Sequence, residues 1–160
     1  MTQTVRISQL GEYISRHFVD VFGSMLGLGA VLSQKTQAQP FSMRVSGAAG
    51  FAGESLAGAI YIHLSEPFAR RAAMAMLGRS EDDLISPAEV NDAVGEMANL
   101  LAGGLKSWLC ESGITCAMSA SAIIRGTSFV IEPNSDVERE RLIFECGEEL
   151  VTVEIHLKVV

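Results

Sequence analysis

The sequence predicts an α+β fold: a mostly antiparallel sheet with one long central helix and two further helices. Three observations predict it. Apolar residues recur at steps of three and four in three separate stretches, and they alternate at steps of two near the end of the chain. The elements also follow one another as helix, two strands, two helices and several strands, rather than as a regular strand-helix alternation.

The first helix is expected from about Ser8 to Leu26. Ile14, Phe18, Val21, Phe22 and Met25 share one face, and Gly27 and Gly29 stand where the helix should stop. A polar connector, Ser33 to Pro40, follows. Phe41 to Phe51 and Leu56 to Leu64 are expected as two strands of a hairpin turning at Gly53, in a sheet covered on one side. Ser65 or Glu66 caps a second helix with Pro67 in its first turn, an inward face of Phe68, Ala72, Ala75, Met76 and Leu77, and an end at Gly78. After a charged loop, Ser86 and Glu89 form a capping box around Pro87 and open the longest helix, which runs to about Glu111 and ends at Gly113.

Strands are then expected at Ile114 to Ile124, Ser128 to Glu132, Arg141 to Cys146 and Leu150 to Val159. In the last of these, Val151, Val153, Ile155, Leu157 and Val159 alternate with Thr152, Glu154, His156 and Lys158, which predicts one buried face and one wet face.

At 160 residues and 48% hydrophobic content, the chain suits one domain spanning 1–160. A net charge of -7 argues against a nucleic-acid surface, which needs clustered Lys and Arg, and suits a partner with a cationic feature. The three cysteines, Cys110, Cys116 and Cys146, fit neither a disulfide framework nor a zinc spacing, so a cytoplasmic location is expected. The N-terminus lacks a secretion-signal pattern. The longest glycine-rich apolar run, Val21 to Leu32, falls short of the roughly 20 residues a bilayer requires, so no membrane partner is expected.

The long helix carries the candidate site. Glu89, Asp92, Glu96, Asn99, Gly103 and Lys106 fall on one polar ridge, while Val90, Val94, Met97, Leu101, Leu105 and Trp108 form the stripe that packs inward. A solvated face is the bland reading of such a ridge. Against it, Asp92 and Glu96 are like charges one turn apart, unfavourable by a few tenths of a kcal/mol, and Asn99 and Gly103 are weak helix formers on the same side. Other chemistry lacks support. His17, His63 and His156 form no metal-ligand spacing, Gly47, Gly50 and Gly53 match no phosphate loop, and no serine or cysteine sits in a nucleophile motif. No cofactor or metal of the chain's own is expected.

The run D-A-V-G-E-M-A-N from Asp92 to Asn99, followed by LLAGGLK, resembles the D/S-x-x-x-E-x-x-N signature of the CheC/CheX/FliY family of bacterial chemotaxis phosphatases. The stretch from Leu56 to Gly78 is similar to the strand and helix that precede that signature, and the N-terminal helix ending in VFGSML also fits. The resemblance implies dephosphorylation of the phospho-aspartate of a CheY-type response regulator. It implies that Asn99 enters the receiver's active site and that Glu96 pairs with the receiver's lysine, with Asp92 opening the signature. Asp92, Gly103 and Lys106 are the candidate partner-contact positions. It also implies a CheX-type homodimer with one active helix per chain, because the first helix has Glu12 followed by Ser15 where a second motif needs asparagine.

One position departs from the family pattern. A proline about 23 residues after the asparagine is usual there, whereas this chain has Ser121 and Ala122 in that neighbourhood. An acyl phosphate is already activated, so a helper protein need only hold a water in line with phosphorus. A carboxamide suits that task because it accepts and donates while staying neutral. Mg2+ and a lysine are expected from the receiver. The alternatives are a non-catalytic adaptor that binds a receiver or flagellar switch component through the same ridge, and a structural dimer module pairing through the strand Leu150 to Val159.

Overall fold

The computed structural model describes residues 4–35, 43–80 and 82–160. The elements are α1 (Ile7–Leu26), β1 (Val31–Leu32), β2 (Arg44–Ala52), β3 (Leu56–Ser65), α2 (Glu66–Met76), α3 (Pro87–Glu111), β4 (Ala117–Met118), β5 (Ala122–Gly126), β6 (Glu138–Cys146) and β7 (Glu149–Val159). The α+β class is as expected. The seven strands form one antiparallel sheet in the order β1-β6-β7-β3-β2-β4, with β5 following β4 along the same side of β2.

Helix boundaries follow the local signals. α1 ends at Gly27, whose φ of 62° is a left-handed conformation costly for residues with a Cβ. Ser65 caps α2 by accepting from the Phe68 amide at 3.3 Å. At the start of α3, Ser86 accepts from the Glu89 amide and Glu89 accepts in return from the Ser86 amide, both at 3.2 Å. Gly113, with φ of 87°, follows the end of α3.

The three helices cover one face of the sheet. Leu10, Ile14, Phe18 and Phe22 of α1 are fully buried, and the Phe18 ring stacks on Phe144 of β6 with centroids 3.9 Å apart. α3 lies on β2, and the contact is close because Gly47 has no side chain: a Cβ there would come 2.9 Å from the Val94 carbonyl oxygen. At roughly 1.5–3 kcal/mol per large apolar side chain taken from water, this stripe decides the rotation of α3.

Several expectations need correction. β7 is flanked by β6 and β3, so it lies in the sheet interior and cannot pair with a twin as a free edge. Its second face is not wet: Thr152, Glu154 and His156 are 2%, 5% and 6% exposed, and only Lys158 reaches solvent. The sheet is therefore covered on both sides. The expected strand Ser128 to Glu132 is irregular backbone within residues 127–137, which cross that second face and supply its cover. An ion pair of 2.8 Å between Asp136 and Lys158 fastens the crossing. The single expected strand Ile114 to Ile124 is two short ones, β4 and β5. In α2 the inward residues are Phe68, Ala69, Ala72, Ala73 and Met74, whereas Ala75 and Leu77 are exposed. Part of the connector, 36–40, and the expected strand start at Phe41 lie outside the described residues.

Candidate functional site

α3 is unbroken from Pro87 to Glu111, and its inner face is almost wholly apolar. Val90, Val94, Met97, Leu101 and Leu105 are each no more than 2% exposed, while Trp108 is half-buried and stacks on Tyr13 of α1 with centroids 5.9 Å apart. The residues one step round the helix are thereby turned away from the core. Asp92, Glu96 and Lys106 are exposed, and Asn99 and Gly103 are half-buried.

The ridge is engaged at its N-terminal end. Glu89 closes the capping box and forms an ion pair with Arg79. Its carboxyl is held down to about 2, first by the hydrogen bond from Arg79 and then by the Ser86 amide. Glu89 is therefore a helix-start residue rather than a free member of the site. Asn91 accepts from Arg125 of β5 at 2.7 Å, tying the sheet edge to the first turns. Beyond that point, the side chains of Glu96 and Asn99 make no hydrogen bond or ion pair among the described residues.

The surroundings of these two residues are packed from below. Gly95 meets Ser121, so that a Cβ on Gly95 would lie 2.9 Å from the Ser121 hydroxyl. Ser121 occupies the neighbourhood in which the family pattern places proline, and it sits against the turn that carries Glu96. Gly104 meets the His17 ring, whose Nε2 lies 3.1 Å from the Leu100 carbonyl oxygen, and thus locks α1 against α3. Gly103 is different: a Cβ there would find only the Met118 sulfur, at 4.0 Å. The rod is anchored on three sides and open on the fourth.

This arrangement offers a carboxylate and a carboxamide one helical turn apart, both unengaged, on a helix that cannot easily shift. It suits recognition of a cation beside an electrophile that needs a positioned water. Among the described residues, no group of three or more His, Cys, Asp or Glu side chains could hold a metal ion. No described helix is long and apolar enough to cross a membrane.

Sequence reasoning missed a second polar cluster, on the far face of the sheet: Ser46, His63, Glu154 and His156, with Arg44 and Arg141 at its rim. Alternation along β7 marked these positions as polar, but their burial depends on residues 127–137, far away in sequence. Burial works to raise the Glu154 carboxyl, yet His63, Arg141 and His156 outweigh it and bring it down to about 2.

Fold and ridge together define a class: α+β proteins that present an acid-and-amide helix above an antiparallel sheet. The family description "Chemotaxis phosphatase CheX" matches residues 45–145, which include all of α3, and the chain belongs to that family. Solved structures agree in fold. The chemotaxis protein CheX of Vibrio vulnificus superposes with a TM-score of 0.79 at 23% identity, covering 97% of this chain and 100% of that one. CheX of Desulfovibrio desulfuricans gives 0.78 at 23% identity, covering 94% and 99%. The Borrelia burgdorferi chain from a CheX-CheY-BeF3-Mg2+ complex gives 0.70 at 21%, covering 98% and 99%. No curated protein matches the sequence.

Proposed function

We propose that the chain is a single cytoplasmic CheX-like domain that dephosphorylates the phospho-aspartate of a CheY-type response regulator, with Asn99 orienting the attacking water and Glu96 docking the receiver's lysine. The observation that carries this reading is the unengaged Glu96 and Asn99 pair on a continuous α3, inside the residues that match the phosphatase family. The Asn99 carboxamide oxygen accepts a hydrogen bond from the water and holds it in line with phosphorus. Attack breaks the bond between phosphorus and the aspartyl oxygen, releasing inorganic phosphate and the free carboxylate. The receiver brings the Mg2+ and the lysine that stabilise the charge on the transferring group. Asp92, Gly103 and Lys106 lie on the same ridge and are assigned to the contact. A homodimer with one such helix per chain completes the proposal.

The test is phosphate release from a phosphorylated CheY-type receiver with wild-type protein and with Asn99→Ala. The variant should lose about a hundredfold in turnover with its melting temperature unchanged, by analogy with removing one preorganised polar group. An unchanged phosphate lifetime in the presence of wild-type protein ends the enzymatic reading. The position of Ser121 supports one rival, a non-catalytic adaptor that binds a receiver or flagellar switch component through the same helix face. An adaptor binds with dependence on Glu96 and gives no gain in hydrolysis, so measuring affinity beside turnover separates the two.

A further inference from the structure

On the sheet face opposite α3 lies a cavity of about 370 Å3, floored by Arg44, His63, Thr152 and Glu154, flanked by Arg141 and roofed by residues 129–131. Its floor is unusually rich in hydrogen-bonding groups for so deep a position. Thr152 is 2% exposed and His63 is 1% exposed, and among the described residues neither the Thr152 hydroxyl nor His63 Nε2 has a hydrogen-bond partner. His63 Nδ1 is occupied by the Ser46 hydroxyl at 2.6 Å, and Glu154 Oε1 is 3.5 Å from Nε2. His63 Nε2 thus has the Glu154 carboxylate in ion-pair range, whereas the Thr152 hydroxyl has no polar partner among the described residues. Buried polar groups in folded proteins are nearly always partnered, so an orphan hydroxyl facing a cavity calls for an explanation.

The charges are uneven as well. Glu154 accepts from Arg141 at 3.2 Å and lies 3.3 Å from His156 Nε2, so its oxygens are already taken. Arg44 has no carboxylate in ion-pair range among the described residues. One of its nitrogens donates to the Phe129 carbonyl oxygen at 2.5 Å, and its guanidinium lies 3.8 Å from the centre of the Phe129 ring. Burial pushes the Arg44 guanidinium below its ordinary range, Glu154 partly offsets this, and Arg141 adds to it. With His63 counted as neutral, the guanidiniums of Arg44 and Arg141 against the Glu154 carboxylate leave the cavity with a formal charge of one positive. A hydroxyl and a guanidinium can both donate to an oxygen acceptor, and Phe129 and Ile131 give the roof an apolar surface.

We propose that this cavity binds a small singly charged carboxylate, whose oxygens accept from Arg44 and Thr152 while its short apolar part packs under Phe129 and Ile131. A dianion fits less well, because Glu154 stands in the floor. The site is separate from α3 and does not depend on the function assigned to that helix.

Thermal unfolding of the whole chain tests this, with acetate, propionate and pyruvate as probes against chloride at equal ionic strength and against phosphate. At least one carboxylate should raise the melting temperature in a saturable way that chloride does not reproduce, as expected for a ligand that binds the folded state. Thr152→Val keeps the side-chain shape and removes an unpartnered hydroxyl, so it should fold at least as stably while binding the carboxylate about tenfold more weakly. Arg44→Gln should weaken binding by about ten- to a hundredfold. If Arg44→Gln does not fold, the Thr152→Val comparison decides alone. The proposal is overturned if no carboxylate stabilises beyond chloride, if phosphate stabilises as strongly, or if Thr152→Val binds as the wild type does.

Discussion

Gly103 offers a perturbation whose two effects point in opposite directions. In the interior of α3, replacing glycine by alanine removes backbone freedom from the unfolded chain and adds helix propensity, worth about 1 kcal/mol where the methyl has room. The room exists, since the nearest neighbour to a new Cβ is the Met118 sulfur at 4.0 Å, an ordinary contact distance. Gly103→Ala should therefore raise the melting temperature by about 2–4 °C for a chain of this size. The same methyl projects from the ridge one turn beyond Asn99, where a docked receiver would approach. Overpacking such a contact costs roughly 1–3 kcal/mol, equivalent to about a 5- to 150-fold loss of receiver affinity or kcat/KM. Urea unfolding followed by circular dichroism reads the first effect, and a coupled phosphate-release assay reads the second. A destabilised variant would show that the space around Gly103 has been misjudged. A stabilised variant with full activity would remove Gly103 from the contact surface.

Its neighbour behaves differently. A Cβ on Gly104 would fall 2.4 Å from His17 Nε2, so Gly104→Ala should destabilise by about 1–3 kcal/mol and weaken the packing of α1 on α3, as measured by urea midpoint. Because the Glu89 carboxyl sits at about 2 rather than its ordinary 4.5, its contribution is present above the higher value and is lost as pH falls toward the lower one. The wild type should thus lose more stability between pH 4.5 and 2 than Glu89→Gln does, and parallel curves would count against the Arg79 and Ser86 contacts. Of the three thiols, only Cys110 is exposed, and burial together with Glu149 pushes the Cys146 thiol up to about 12. Titration of the folded protein with an aromatic disulfide reagent should show one fast-reacting cysteine, with the other two appearing on unfolding.

The parts of this structure that were legible in the sequence are those written in local chemistry. Ser86, Pro87 and Glu89 announce the start of α3, and the three-and-four spacing from Val90 to Leu105 states which face is buried, so the exposure of Glu96 follows before any coordinates exist. Gly27 and Gly113 mark helix ends for the same reason. What could not be read depends on contacts distant along the chain. The polar residues of β7 look like a solvent face until residues 127–137 are laid over them, and nothing within β7 encodes that cover. The free-edge role considered for β7 failed likewise, because strand order is set by pairing with β3 and β6. Glu89 looked like part of the ridge because spacing alone cannot reveal that Arg79, ten residues earlier, already holds it.

The central place of β7 also shapes how the molecule can assemble. Its partners are β6, just before it, and β3, roughly ninety residues earlier, so half of its pairing closes a very long loop. Until it docks, β3 and β6 each present an unpaired edge to the cell, while the helix bearing Glu96 and Asn99 has already been made. Such late, distant closure favours slow folding and a window for aggregation. Substitutions that loosen the β3-β7 seam should therefore reduce the yield of soluble protein well before they touch the ridge itself.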